Sequence, residues 1–306
     1  MDAQEGQVAV SGPDVSVIIP VRDDVRGLRR CLDALAVQEQ PPSYEVVVGL
    51  DRPSAGIRAL LAERRAEVMA VESPGAGSYA ARNAAVAASR GGALAFVDAD
   101  TVPRPTWLAS GAERVQVAGV VGGAVVPLLG KDPSRVEEFD AVMHLRQQDH
   151  VEVGFAATAN LWVTREAWDE VGAFDPSLLS GGDLQWGQRA VAAGHVPVYA
   201  PKVVVEHRTR STLRELAAVQ SRIAAGWFAM ADPRTRLRPW REPALTTELT
   251  WINERAGRRR DDRALLVPYI VCMGARWWGW LYPLARQSVA RFKEPTSPAG
   301  RSGPRA

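Results

Sequence analysis

The chain has 306 residues, 46% hydrophobic and 24% charged, an ordinary globular composition that excludes a disordered protein. A formal net charge of +2 excludes a nucleic-acid binder held by a broadly basic surface. Cys31 and Cys272 are far apart in apolar, helix-like surroundings, which excludes a disulfide framework and a zinc site; no apolar core follows a basic start, so no secretory signal is read and a cytoplasmic protein is expected.

Residues 1–13 are polar, carry Gly, Ser and Pro, and read as a flexible tail. Val15 to Val21 is a buried strand closed by Pro20, with Asp23 and Asp24 just beyond its carboxyl end. A helix through Leu28, Cys31, Leu32 and Leu35 follows, then a second strand from Tyr44 to Leu50 that ends in Asp51. Another helix (Ile57, Leu60, Leu61) and a short strand at Glu67 to Val71 continue the alternation, which predicts a parallel sheet with right-handed crossovers.

Gly75 and Gly77 open an alanine-rich helix that carries Arg82. The glycines do not make a dinucleotide fingerprint, and a flexible turn explains them equally well. Arg82 is a cation on an alanine-coated helix just before an acidic strand, where it could reach a phosphate; a solvated face is the plainer alternative. The apolar run from Ala93 to Val97 then ends in Asp98-Ala99-Asp100. Side chains two apart on a strand share a side, so both carboxylates are expected to face one spot at the carboxyl end of a buried strand, where α/β sheets bind ligands. Two carboxylates that close repel unless a cation sits between them, and a hard divalent ion, Mn²⁺ or Mg²⁺, also holding phosphate oxygens suits them.

A helix through Trp107 and Leu108 and a strand over 119–127 come next. Residues 128–150 are polar and helix-prone; His144 and His150 are six apart, poor metal spacing, and read as acceptor-side or surface residues. Gly154 to Val163 reads as a strand of small residues, followed by a helix at Arg165 to Trp168. Gly181-Gly182-Asp183 then leads into a helix, where capping is the commonest use of an Asp such as Asp183. Two short strands, Val196 to Ala200 and Val203 to Val205, end at Glu206-His207.

Residues 211–230 form a helix with Leu213, Leu216, Val219 and Ile223, and an Arg/Pro-rich linker runs from Asp232 to Pro243. Arg258-Arg259-Arg260 precedes an apolar, Trp-rich stretch from Leu265 to Leu284. Its length could permit a membrane span. Pro268, Pro283, Arg276 and the flanking arginines fit an interfacial or re-entrant helix at an anionic membrane surface better; burial on the domain or in a homodimer is the other reading.

Taken together, Val17-Ile18-Ile19-Pro20, Asp51, Ala81-Arg82-Asn83, Asp98-Ala99-Asp100, Gly172-Ala173-Phe174-Asp175, Gly181-Gly182-Asp183 and the late His207 resemble family 2 glycosyltransferases of the GT-A fold. The resemblance covers about residues 14–210. It implies an α/β architecture with a Rossmann-like, mostly parallel central sheet flanked by helices, followed by a C-terminal helical extension over 211–292 and a tail over 293–306. It also implies metal-dependent, inverting transfer from a nucleotide-sugar donor to a glycan, lipid-linked or small-molecule acceptor. By the same resemblance Pro20, Val21, Asp23, Asp51, Arg82, Asp98 and Ala99 line the donor pocket. Asp100 and His207 would hold the metal, Asp183 is the base, and Gly182 and Trp186 are on the acceptor side. The family's usual Glu-Asp pair is here Gly182-Asp183, and the Gln-x-x-Arg-Trp box of processive members is absent, which favours single addition. A sugar nucleotidyltransferase and a non-catalytic nucleotide binder are the competing readings. The first lacks its Gly-rich basic loop after the opening strand, and the second does not account for Asp98, Asp100 and Asp183 together.

Overall fold

The computed structural model describes residues 12–143, 145–231, 245–259 and 262–293. His144, Arg260, the linker read at 232–243, and the tails 1–11 and 294–306 lie outside the described residues. In chain order the first half holds β1 (Val15–Val21), α1 (Val25–Ala36), β2 (Tyr44–Leu50), α2 (Ala55–Glu63), β3 (Met69–Glu72), α3 (Ser78–Ala88), β4 (Ala93–Val97), β5 (Thr101–Pro103), α4 (Trp107–Ala118) and β6 (Val120–Leu128). The second half holds α5 (Arg135–Met143), α6 (Gln147–Glu152), β7 (Asn160–Thr164), α7 (Arg165–Val171), α8 (Gly182–Ala192), β8 (Val198–Arg208), α9 (Leu213–Met230), α10 (Leu245–Arg255) and α11 (Leu266–Lys293).

All eight strands join one sheet in the order β3-β2-β1-β4-β7-β6-β8-β5. The first four run parallel, as the alternation of strands and helices predicts; β7 is antiparallel to both of its neighbours, and β5 is antiparallel to β8. Every residue of β1 and β4 is buried because helices cover both faces of the sheet. Alternation sorts them: Val17 and Ile19 pack with Leu28 and Leu32 of α1, while Ile18 joins Phe96, Trp168 and Phe174 on the other face.

Two sequence expectations change here, and one holds. The stretch 154–163 is a strand only from Asn160, because the Ala157 N–H and C=O bond to the Gln147 side chain (2.9 and 3.1 Å) and not to a neighbouring strand. The two short strands near 200 are one, β8, bulged where its pairing with β6 slips between Gly123 and Ala124. The buried Asn160 amide donates to the Ala124 and Val203 carbonyls at that bulge, both at 2.9 Å, and its oxygen accepts the Trp107 indole N–H at 2.9 Å. The slip is thereby satisfied and fixed. The Trp-rich stretch is the middle of one long helix that continues past Pro283, and among the described residues no helix is long and apolar enough to cross a membrane.

Candidate active site

Pro20 and Val21 end β1 and Asp23 follows, Asp51 follows β2, and Asp98, Ala99 and Asp100 follow β4, so the carboxyl ends of three parallel strands meet at one place. These residues and Arg82 line one cleft of about 350 Å³. Every donor-side residue expected from the sequence is therefore in the same cleft, joined by Ser78 and Arg222. Arg82 reaches it because α3 lies directly on β2: a Cβ at Gly49 would overlap the Ala81 carbonyl, so glycine is required there. The Arg82 guanidinium is buried and ion-paired with Asp98, while its Nε has no partner among the described residues.

The two carboxylates converge for a different reason from strand alternation. β4 stops at Val97, and Asp98 to Thr101 form a tight turn in which the Thr101 N–H (3.2 Å) and hydroxyl (2.7 Å) both donate to the Asp98 carbonyl. The chain then enters β5, whose Thr101 pairs with His207 of β8. That pairing delivers the imidazole: Asp98, Asp100 and His207 each offer a ligand atom, all within 4.8 Å of one another. His207 Nδ1 lies 2.9 Å from the Arg208 carbonyl; a proton donated there leaves Nε2, 3.4 Å from Asp100, with its lone pair toward the carboxylates. Two carboxylate oxygens and one imidazole nitrogen fit Mn²⁺ or Mg²⁺. Although 42% of the Asp100 side chain still meets solvent, loss of solvation on its other sides pushes its pKa above the ordinary carboxylate value. His207 opposes the shift, and Asp98 and Asp24 add to it.

Ser78, Arg82, Asp98 and Arg222 also line a second cavity, of about 270 Å³, that contains Asp183, His150, Arg210 and Trp227. Gly181, in the left-handed region at φ 81°, is the N-cap of α8, so Asp183 lies inside the first turn and is not the cap. Its carboxylate accepts the Leu184 N–H at 3.0 Å and the Tyr79 hydroxyl at 3.3 Å. Burial first, and then the Asp183 carboxylate, hold the Tyr79 phenol well above its ordinary pKa, so it stays protonated and donates. The Arg82 guanidinium sits 5.5 Å from the centre of the same ring. Tyr79 thus contacts both Asp183 and the cation of the first cleft.

The Gly182 departure from the family pattern has a steric cause. A Cβ at Gly182 would lie 2.7 Å from the Tyr79 ring, so the ring fills the space that a glutamate side chain would need. Trp186, expected on the acceptor side, does not reach the cavity. It is 1% exposed, stacks on Trp168 at 5.8 Å, and gives its indole N–H to the Gly172 carbonyl at 2.8 Å. It packs instead with Trp168 and Phe174 in the aromatic core. His150 lines the cavity and stacks on Phe155 at 4.6 Å.

The profile of the family described as "Glycosyltransferase like family 2" matches residues 13–226. The chain is a family 2 glycosyltransferase. The glycosyltransferase is 34% identical over 223 residues to Glycosyltransferase AglE of Haloferax volcanii, covering 70% of this chain and 73% of that one. It is 30% identical over 222 residues to the pre-mycofactocin glycosyltransferase of Mycobacterium tuberculosis, covering 68% of this chain but only 46% of the relative. Its fold is similar to the mannosyltransferase PcManGT of Pyrobaculum calidifontis, solved with GDP-Man and Mn²⁺: TM-score 0.56, 20% identity, 94% of this chain and 82% of that one. It is also similar to residues 1–349 of TarS of S. aureus, solved with UDP: TM-score 0.50, 16% identity, 89% and 92% covered. The GT-A architecture expected from the sequence is therefore present, and the nucleotidyltransferase reading falls away. In this glycosyltransferase the residues that sequence reasoning missed are Tyr79 and Arg222. Tyr79 lies just past the glycine pair, a signal that was available, whereas Arg222 sits on α9 beyond the last motif and carries none.

Proposed function

We propose that the enzyme transfers a glycosyl group, with inversion, from a nucleoside-diphosphate sugar in the first cleft to an acceptor hydroxyl in the second cavity. The observation that carries this reading is the joining of the two spaces: Asp98 and Asp100 lie at one end, Asp183 at the other, and Arg82 and Arg222 line both. Asp183 takes the acceptor hydroxyl proton as that oxygen bonds to the anomeric carbon. The bond from that carbon to the donor phosphate breaks on the opposite side, and its electron pair leaves with the diphosphate. Pro20, Val21, Asp23, Asp51 and Ala99 surround the nucleoside. Tyr79 holds the Asp183 carboxylate toward the acceptor through its 3.3 Å hydrogen bond. Arg222, which forms no ion pair among the described residues, adds positive charge beside the departing diphosphate. Asp98, Asp100 and His207 would hold Mn²⁺ or Mg²⁺, which when bound supplies charge neutralisation to the diphosphate.

The name of the M. tuberculosis relative points to pre-mycofactocin as its acceptor, while the name AglE specifies none. The acceptor class is accordingly broad: a hydroxyl on a glycan, lipid-linked or small-molecule acceptor, with one addition per encounter. The test is to incubate the protein with Mn²⁺ and a panel of GDP- and UDP-sugars and follow nucleotide release. Calorimetry of nucleoside diphosphate with Mn²⁺ is run in parallel on wild type and Asp100→Ala. Release from at least one donor and lost Mn²⁺-dependent affinity in the variant are expected. No release from any donor, or unchanged affinity, refutes the assignment.

A further inference from the structure

Helix α11 packs along α9, and its Tyr269 and Cys272 are buried in one cluster with Leu216 of that helix. A Cβ at Gly279 would overlap the Ser221 carbonyl of α9, so the two helices meet backbone to backbone. The side of α11 away from that contact is apolar and in water. Val267 is 58% exposed, Ile270 55%, Trp277 41%, Trp278 64% and Leu281 50%. At 3.6 residues per turn these five fall within an arc of about 100° on the helix. Soluble surfaces scatter such side chains singly; five on one stripe, two of them tryptophan, make an apolar face that needs an apolar phase.

The charge around the stripe specifies that phase. From Leu266 to Lys293 the sequence carries Arg286, Arg291 and Lys293, besides Arg276, which bonds to Gln220 of α9, and not one acidic residue. Arg259 and the exposed Arg263 precede the helix; of the two acidic residues between them in sequence, Asp262 is paired with Arg258. A helix with an apolar stripe, tryptophans and only cationic charge matches the chemistry of an anionic bilayer surface. A second protein copy would need acidic groups opposite those arginines, and α11 has none to return.

We propose that the exposed face of α11 docks on an anionic lipid bilayer, lying in its interface and not crossing it. Docking is a property separate from glycosyl transfer and does not depend on which donor or acceptor the enzyme uses. The site's own geometry gives the docking a use. α9 carries α11 on one side, and its Val219, Gln220, Arg222, Ile223 and Trp227 line the second cavity, so docking through α11 would hold a cavity-lining helix at the membrane.

The test is flotation of the full chain with vesicles of phosphatidylcholine alone and with phosphatidylglycerol added. Wild type should float with the anionic vesicles, weakly with the neutral ones, and be released by salt. Ile270→Glu/Trp277→Glu should reduce partitioning by at least about tenfold. Arg259→Gln/Arg263→Gln should reduce binding to the anionic vesicles by about fivefold per arginine. Melting curves confirm that the variants fold, and none of these residues lines the site. Absence of wild-type binding to anionic vesicles overturns the proposal, whatever the variants do. So does equal partitioning of wild type and Ile270→Glu/Trp277→Glu. A wild-type dimer that the same variant turns into a monomer, without vesicle binding, gives the face to a second copy and overturns it too.

Discussion

The Gly182–Tyr79 contact allows a quantitative test of how Asp183 is held. Gly182 lies outside the positive-φ glycines, so alanine meets no backbone strain there. The added Cβ would sit 2.7, 2.8 and 2.9 Å from three atoms of the Tyr79 ring. The ring cannot swing away freely: it is 5% exposed, packs on Phe174 at 5.4 Å, and its hydroxyl is bonded to Asp183. Overpacking of this kind costs about 1–3 kcal/mol. The helix preference of alanine over glycine returns at most about 1 kcal/mol. In a Tyr79→Ala background the clash is gone, and Gly182→Ala should be neutral or stabilising by up to about 1 kcal/mol. The double-mutant cycle should therefore show a coupling of about 1–3 kcal/mol, read from urea denaturation of the four proteins. Gly182→Ala alone should also lower turnover, because moving the ring moves the carboxylate bonded to it. The same free-energy change for Gly182→Ala in both backgrounds would refute the steric account of why this chain lacks the glutamate.

Further outcomes are expected at the site and behind it. Asp183→Asn should leave donor affinity and melting temperature near wild type while cutting turnover by about 10²- to 10⁴-fold; near-normal turnover would pass the proton to another group, with Asp149 or Glu152 to be tried next. Asn160→Ala should destabilise by about 2–4 kcal/mol, since it leaves two buried carbonyls and one indole N–H without their partner, and a denaturation midpoint unchanged from wild type would rule that out. Burial, which outweighs the Asp183 carboxylate, lowers the His150 pKa from its ordinary 6.5. The folded protein therefore prefers the neutral ring, and His150 contributes stability that is present above pH 6.5 and lost as pH falls through the lowered folded value. Urea midpoints at pH 7.5 and 5.5 should differ less in His150→Gln than in wild type, and an equal difference would exclude the effect.

The fold was legible where local pattern and tertiary demand agree. β1, β2 and β4 are apolar runs of strand length ending at polar residues, and they sit where that pattern puts them. That the residues of the first cleft meet was legible for the same reason, since a parallel sheet brings strand ends together. What escaped depends on distant partners. β5 is three residues long and exists only by pairing with β8, so the turn that aims Asp98 and Asp100 was read as more strand. The Trp186 reading failed because proximity in sequence to Asp183 says nothing about which side of α8 faces the core. Arg222 needed the path of α9 across the cavity, which no spacing encodes.

If the second cavity receives the acceptor, as proposed above, the packing of α9 has a consequence for any attempt to enlarge the acceptor range. Gly226 lies against the Ser180 carbonyl beside the cavity, and Ser221 lies against Gly279 of α11. Neither contact has a side chain whose rotamer could take up slack, so α9 cannot tilt outward to make room without parting from one neighbour or the other. Substrate breadth and retention of the C-terminal helix are in this way a single trait. Selection for bulkier acceptors would be met first by detachment of α11, and compensating substitutions would accumulate at the α9–α11 seam, well away from the chemistry.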